Sequence, residues 1–192
     1  MDPSDEELIE GVQRGSEECF RSLYVRYKLP LFNYLYHFLK ERQAAEDCLQ
    51  DVFIRLYQKA KMYQPSSKFS SWLYQMAKNA ALDVLRKSKT HQAASLDAPL
   101  KTEESGATLT DFIKSGDADP RSLSISKDLA SLVHAAIAKL EESDREIIIL
   151  CDIQRLPHKE VGEIMGYSAE TIAVKLYRAR QKLAGILKIE DL

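Results

Sequence analysis

Apolar residues recur at every third or fourth position along most of this 192-residue chain, and no stretch alternates apolar and polar between turn signals. A period of about 3.6 residues is that of a helix burying one stripe, so the pattern predicts an all-α protein. Four helices are expected in the N-terminal half, over roughly residues 5–14, 16–39, 44–63 and 70–88. Pro30 falls inside the second and should kink or interrupt it, because proline lacks the amide proton that the helix needs. Ser70 or Ser71, after "YQPSSKF", is placed to cap the fourth.

Between residues 89 and 124 the apolar period disappears and Pro, Gly, Ser, Thr and acids accumulate, which reads as a linker with one short amphipathic patch, "TLTDFIK". The helical pattern then resumes, with helices expected near residues 126–140, 143–153, 157–165 and 168–188. Ser143, followed by Glu146, has capping-box spacing; Pro157 suits a first helical turn, and Gly166 suits a helix end. The expected organisation is two small helical domains, residues 1–90 and 125–192, joined by a flexible linker over 91–124.

The last two helices carry "LPHKEVGEIMGYSAETIAVKLYRARQKL", the form of a helix-turn-helix: Val161 and Ile164 facing inward, a turn at "GYS", Ser168 as N-cap, then a longer helix. In that longer helix Ile172, Leu176, Ala179 and Leu183 form the buried stripe. Thr171, Val174, Lys175, Arg178 and Lys182 lie opposite, and no acid occurs between Thr171 and Lys188. A basic, acid-free face on a helix-turn-helix fits the major groove, where Lys175 and Arg178 can reach guanine edges or phosphate. The plain alternative is a solvated basic face. Arg180 falls off this face and should pair with acids or phosphate.

Two N-terminal stretches also have faces that a core does not explain. In "AAEDCLQDVFIRLYQKA" the core stripe is Ala45, Cys48, Leu49, Val52, Phe53, Leu56 and Ala60. The other side offers Asp47, Gln50, Asp51, Ile54 and Gln58, an isoleucine rimmed by acids and amides, as a protein contact would be. In "KFSSWLYQMAKNAALDVLRKSK" the stripe is Leu73, Ala77, Ala80 and Val84. Trp72, Gln75, Asn79, Asp83 and Arg86 share another face, with Lys68, Lys78, Lys87 and Lys89 around it. Aromatics interleaved with amides and cations suit unstacked single-stranded bases, although Trp72 and Tyr74 equally suit a core.

Composition narrows the function classes. A formal charge of −2 conceals the basic C-terminal run, and local potential rather than net charge attracts a polyanion. The acidic start "MDPSDEELIE" is unlike a signal peptide, and no run of about 18 apolar residues occurs, so the cytoplasm is the expected compartment and no membrane insertion is expected. Three cysteines without C-x-x-C spacing read as small core residues. Four scattered histidines, no metal-ligand spacing, no Gly-rich phosphate loop and no nucleophile motif argue against an enzyme, a metal or a cofactor.

The stretches "AEDCLQDVFIRLY", "KFSSWLYQMAKNAALDVLRK" and "LPHKEVGEIMGYSAETIAVKLYRAR", in that order, resemble the extracytoplasmic-function (ECF) group of the sigma-70 family of bacterial RNA polymerase initiation factors. The resemblance implies a factor that docks on core RNA polymerase, at the β′ clamp and β flap, and directs it to promoter DNA. It places Asp47, Gln50, Asp51, Ile54 and Gln58 on the polymerase. It places Lys68, Phe69, Ser70, Trp72, Asn79 and Arg86 on the melted minus-10 element. It places Thr171, Val174, Lys175, Arg178 and Lys182 on the minus-35 duplex. Ala173 and Val174 stand where many members carry a basic or hydroxyl residue, which leaves the minus-35 preference open. Members are commonly silenced by an anti-sigma factor. The competing reading is a helix-turn-helix regulator that binds DNA without polymerase.

Overall fold

The computed structural model describes residues 2–94, 132–133 and 135–190, with side chains over 2–88, 132–133 and 135–187. The expected linker, the "TLTDFIK" patch and the first part of the helix expected at 126–140 lie outside the described residues. Those described are helical, with no strand among them: α1 (Asp5–Gln13), α2 (Glu17–Leu39), α3 (Arg42–Lys59) ending in a 3-10 turn (Ala60–Met62), α4 (Phe69–Ala94), α5 (Glu142–Ile148) running into a π-helical turn (Ile149–Ile153), α6 (His158–Met165) and α7 (Ala169–Glu190). They fall into two compact units, the first joining the N-terminal helices with Leu156–Ala169, the second taking α5 and α7.

In the first unit α1 starts at a capping box. The Ser4 hydroxyl accepts from the Glu7 amide at 3.2 Å and the Glu7 carboxylate accepts from the Ser4 amide at 2.7 Å. These bonds, the backbone one first, hold the Glu7 carboxyl below its ordinary range. The cap is therefore complete above the usual glutamate range and weakens as pH falls through the lowered value. Asp5 then ties α1 to α2 by accepting from Arg26 and from the Tyr27 hydroxyl. Gln13, at the other end of α1, donates to the carbonyls of Ala60 and Tyr63 at 2.9 and 3.1 Å and so closes the turn after α3.

α2 does not break at Pro30: it runs unbroken from Glu17 to Leu39. An interior proline costs about 3 kcal/mol. Leu23, Leu31 and Leu35, all fully buried on either side of it, each return roughly 1.5–3 kcal/mol, which is enough to keep the helix whole. α4 begins one residue earlier than expected, at Phe69, so neither Ser70 nor Ser71 is its cap; both lie in its first turn and are buried. The reason is Phe69 itself, wholly buried with its ring 5.6 Å from Tyr27, 5.9 Å from Tyr63 and 6.2 Å from Trp72. Farther along, Tyr74 meets Tyr34 edge-on at 5.2 Å, and Leu73, Ala77, Ala80 and Ala81 complete the buried side of the helix.

In the second unit the expected cap at Ser143 is displaced: α5 begins at Glu142, with Glu141 at the cap position, and Glu146 is buried rather than reaching back. Arg145 governs this junction. Its guanidinium donates to the carbonyls of Ala138 at 2.7 Å, Leu140 at 2.6 Å and Ile137 at 3.3 Å, which satisfies the end of the preceding helical turn. Ile147 to Leu150 are all buried, so this short segment is apolar on every side. On α7 Ile172, Leu176 and Ala179 are buried as expected, while Leu183 is only half-buried.

α1 and α2 cross closely at Gly11, where an added Cβ would lie 2.3 Å from Cys19 Sγ and 2.9 Å from its Cβ. Gly11→Ala gains up to about 1 kcal/mol of helix propensity but must push the two helices apart, which costs about 1–3 kcal/mol. The expected net result is a lowered thermal midpoint in circular dichroism; a midpoint equal to or above wild type would show that the crossing yields at no cost.

Candidate nucleic-acid interface

On α3 the core stripe and the opposite face separate as the periodicity requires. Ala45, Cys48, Val52, Phe53, Leu56 and Ala60 are buried and Leu49 is half-buried, whereas Asp47, Gln50, Asp51, Ile54 and Gln58 are all exposed. Ile54 keeps 54% of its surface open, and Tyr57, one turn on, keeps 56%. Gln43 donates to Asp47 at 3.0 Å, and Asp51 pairs with Arg55 at 3.7 Å, so the acids around Ile54 are held in place along the helix. Tyr24 and Val25 on α2 are exposed as well, and Tyr24 packs against Phe53 of α3. Sequence reasoning missed Tyr24, Val25 and Tyr57; the i, i+3 spacing of Ile54 and Tyr57 was the available signal for Tyr57.

The α4 candidates divide. Phe69 is no surface residue: the aromatic cluster with Tyr27 and Tyr63 buries it completely, so it supports the site from beneath and cannot meet a base. Trp72 is half-buried, one side resting 5.4 Å from the Tyr63 ring, which combines the two roles the sequence left open. Lys68 is exposed and 3.4 Å from Glu6. Asn79 and Arg86 are exposed, and Arg86 lies 3.3 Å from Asp83, which also faces Arg55 of α3 at 3.8 Å. Ser70 is buried, and its hydroxyl donates to Glu160 of α6 at 2.5 Å. Val84, expected in the core stripe, is half-buried.

α6 follows Pro157, which takes the cap position rather than the first turn. Val161 and Ile164 are buried as expected, and Gly166, at φ 77°, ends the helix in the left-handed conformation that glycine adopts without strain. Gly162 is the residue that the sequence gave no reason to single out. Its carbonyl accepts from both Gly166 and Tyr167, and a Cβ here would lie 2.5 Å from the Tyr167 carbonyl oxygen. The sharp turn between the last two helices thus needs two glycines, one for conformation and one for space.

The outer face of α7 presents Thr171, Ala173, Val174, Tyr177 and Arg178 to solvent, with Lys175 half-buried among them. Arg180 makes a two-pronged pair with Asp152, at 3.0 and 2.5 Å, as its position off this face implied. Lys182 is engaged too: its ammonium lies 2.5 Å from Asp144 and 3.6 Å from Glu141. The Asp144 hydrogen bond, then its charge, hold the Lys182 ammonium above the ordinary lysine range. This pair therefore stabilises the fold below the usual lysine range and is lost as pH rises through the raised value.

All three cysteines are free thiols. Burial first, then neighbouring acids, push Cys48 and Cys151 up to about 11, which keeps both protonated and unreactive at neutral pH. Among the described residues no group of three or more His, Cys, Asp or Glu is placed to hold a metal, and no helix is long and apolar enough to cross a membrane.

The sequence matches the Sigma-70 region 2 family over residues 23–91 and the Sigma-70, region 4 family over residues 130–183. It is 31% identical over 175 residues to the ECF RNA polymerase sigma factor SigW of Bacillus subtilis, a match covering 91% of this chain and 92% of that protein. The chain belongs to the ECF sigma factors of the sigma-70 family. The ECF sigma-E factor of Escherichia coli K12 is 28% identical over 182 residues, covering 94% of this factor and 92% of that protein. Among solved structures, CnrH, in complex with the cytosolic domain of CnrY, matches at a TM-score of 0.66 and 20% identity over 97% of this factor and 99% of that chain. RpoE of Bartonella quintana, in complex with the anti-sigma factor NepR, matches at 0.65 and 20% over 88% and 97%. At that identity the two structures speak for the all-α fold. The competing reading, a regulator acting without polymerase, is not favoured.

Replacing Lys182 by methionine keeps the stem and removes the charge that faces Asp144. The expected outcome is a lower thermal midpoint, with an unchanged salt dependence of duplex binding. A salt slope smaller by about one would instead put Lys182 on a phosphate.

Proposed function

We propose that this factor docks on core RNA polymerase through the exposed face of α3, reads minus-35 duplex with α7 and holds the melted minus-10 strand on α4. It acts in the cytoplasm, where polymerase is, and by binding rather than by catalysis; no cofactor or metal enters the reading. What carries it is the coexistence, on one chain, of an apolar Ile54 rimmed by Asp47, Gln50, Asp51 and Gln58 and a separate helix whose outer face holds Thr171, Val174, Lys175 and Arg178. The first has the make-up of a protein contact, with a small apolar centre inside a polar rim. The second has the size and charge of a major-groove reader.

On α7, Arg178 is the candidate for a guanine edge and Lys175 for a guanine edge or phosphate, while exposed Val174 suits a thymine methyl. Lys182 and Arg180, occupied by acids, support the helix from the side. On α4, Trp72 offers a ring face for stacking, and Asn79 and Arg86 offer donors to a base edge and a phosphate. Unstacking costs a few kcal/mol per step, and a surface that binds only extruded bases offsets it. The sigma factor from Bartonella was solved bound to an anti-sigma factor. The same exposed faces of α3 and α7 make this chain a fit for such an inhibitor.

The decisive assay is in vitro transcription with bacterial core polymerase stripped of sigma, on promoter fragments from the source genome. Specific initiation is expected; its absence, alongside tight duplex binding by the protein alone, would return the regulator. In the same assay Asp51→Arg should lower core-polymerase affinity while leaving the thermal midpoint near wild type, and an unchanged pull-down would remove α3 as the docking helix. Arg178→Ala should weaken promoter affinity by about 1–3 kcal/mol if Arg178 reads a base, and equal binding would assign specificity elsewhere on α7.

A further inference from the structure

The first compact unit contains a helix that lies outside the N-terminal half of the chain. α6 packs on α4, and the contacts fall in the first two turns of α4, beside the residues proposed to hold the minus-10 strand. The Ser70 hydroxyl donates to the Glu160 carboxylate at 2.5 Å, and the Gln75 side-chain amide donates to the Glu163 carbonyl at 2.6 Å. Ser70 and Gln75 flank Trp72 and Tyr74 in sequence, and both point their donors at α6. A polar group engaged in a buried hydrogen bond is not free to meet a base or a phosphate.

We propose that α6 is a built-in mask: in the free factor its acidic face occupies the Ser70 and Gln75 donors of α4 and withholds the minus-10 surface until α6 is lifted away. The inference rests on the reading of α4 as that surface. Its chemistry is that of an anion stand-in. Glu160 and Glu163 line a cleft together with Glu6, Ser66, Ser67 and Lys68, so carboxylates border the loop from which phosphate would approach the start of α4. Three residues, Gly166 to Ser168, join α6 to α7, so the mask is carried by the same short segment that begins the helix-turn-helix.

The contact is also built to open. One Glu163 carboxylate oxygen, Oε2, is buried with no hydrogen-bond partner, and so is the Ser71 hydroxyl of α4. Buried polar atoms left unsatisfied favour the state in which water reaches them, so they work against the closed form. The closed state is held by two hydrogen bonds and apolar packing and opposed by two orphaned groups. A partner that binds only the open form can shift such an equilibrium by its differential affinity alone.

The test uses the full chain with Glu160 replaced. Alanine is a better helix former than glutamate, so Glu160→Ala removes the carboxylate without weakening α6 itself. Two readouts are taken: amide hydrogen exchange of the free protein, and polymerase-free binding of a labelled single-stranded oligonucleotide carrying the non-template minus-10 region of a promoter mapped by transcription. Glu160→Ala should speed exchange in α6 and in Phe69–Gln75, with α3 unchanged, and raise oligonucleotide affinity by about tenfold. Glu160→Gln, which keeps an acceptor for Ser70, should stay within about twofold of wild type. Unchanged exchange in Glu160→Ala, or faster exchange with no gain in affinity, overturns the mask. Asn79→Ala and Arg86→Ala in the Glu160→Ala background separate the two readings. If either lowers affinity while the mask fails, α4 remains the minus-10 surface; if neither does, that assignment falls with it.

Discussion

Phe69 is the residue on which the N-terminal unit turns. It is the first residue of α4, fully buried, and its ring meets Tyr27 of α2, Tyr63 of the loop and Trp72 of its own helix. Burying a phenylalanine contributes roughly 1.5–3 kcal/mol from area alone, with more from edge-to-face ring contacts. A helix pinned at its first residue has its rotational phase fixed. With Phe69, Leu73, Ala77 and Ala80 turned inward, Trp72 is set at the boundary and Asn79 and Arg86 are turned out. Tyr63 adds to this by donating from its hydroxyl to the Ser67 carbonyl at 2.8 Å, which orders the loop that delivers Phe69.

Charge is distributed in the C-terminal unit by pairing. Five cations and no acid follow Thr171 up to Lys188, and the acids that answer them lie upstream in sequence. Asp152 takes Arg180, and Asp144 with Glu141 takes Lys182. These pairs lie at least partly in solvent, where an isolated ion pair adds little to stability. Their effect is selective: they hold two cations against the unit and leave Arg178 as the exposed arginine on the outer face of α7. A groove-reading helix needs this economy, because each cation aimed at phosphate strengthens non-specific binding.

Membership in the ECF sigma factors explains why one small chain carries several surfaces that its core does not require. The exposed Ile54 and Tyr57 on α3, and Val174 and Tyr177 on α7, are costs in a solitary protein. They become assets in one that works between a polymerase and a promoter. The packing of α6 on α4 gives the same chain a state in which one of those surfaces is covered from within.

The linear sequence determined the elements and their faces. The 3.6-residue period placed α1, α2, α3 and α4 to within a few residues, and the wheel separated Ile172, Leu176 and Ala179 from Thr171, Val174 and Arg178, because such periodicity records which side of a helix meets water. Local chemistry was legible too: Gly166 marked a helix end, and the Ser4 and Glu7 capping box was there to be read. Tertiary structure decided what depends on a partner distant in the chain. Pro30 stayed helical because residues around it are buried by other helices, and Phe69 went inside because Tyr27 and Tyr63 come to meet it. Lys182 was drawn to Asp144, 38 residues away, and Ser70 to Glu160, 90 residues away. A side chain's environment is set by what folds against it, and separations of that length leave no periodic trace in the sequence.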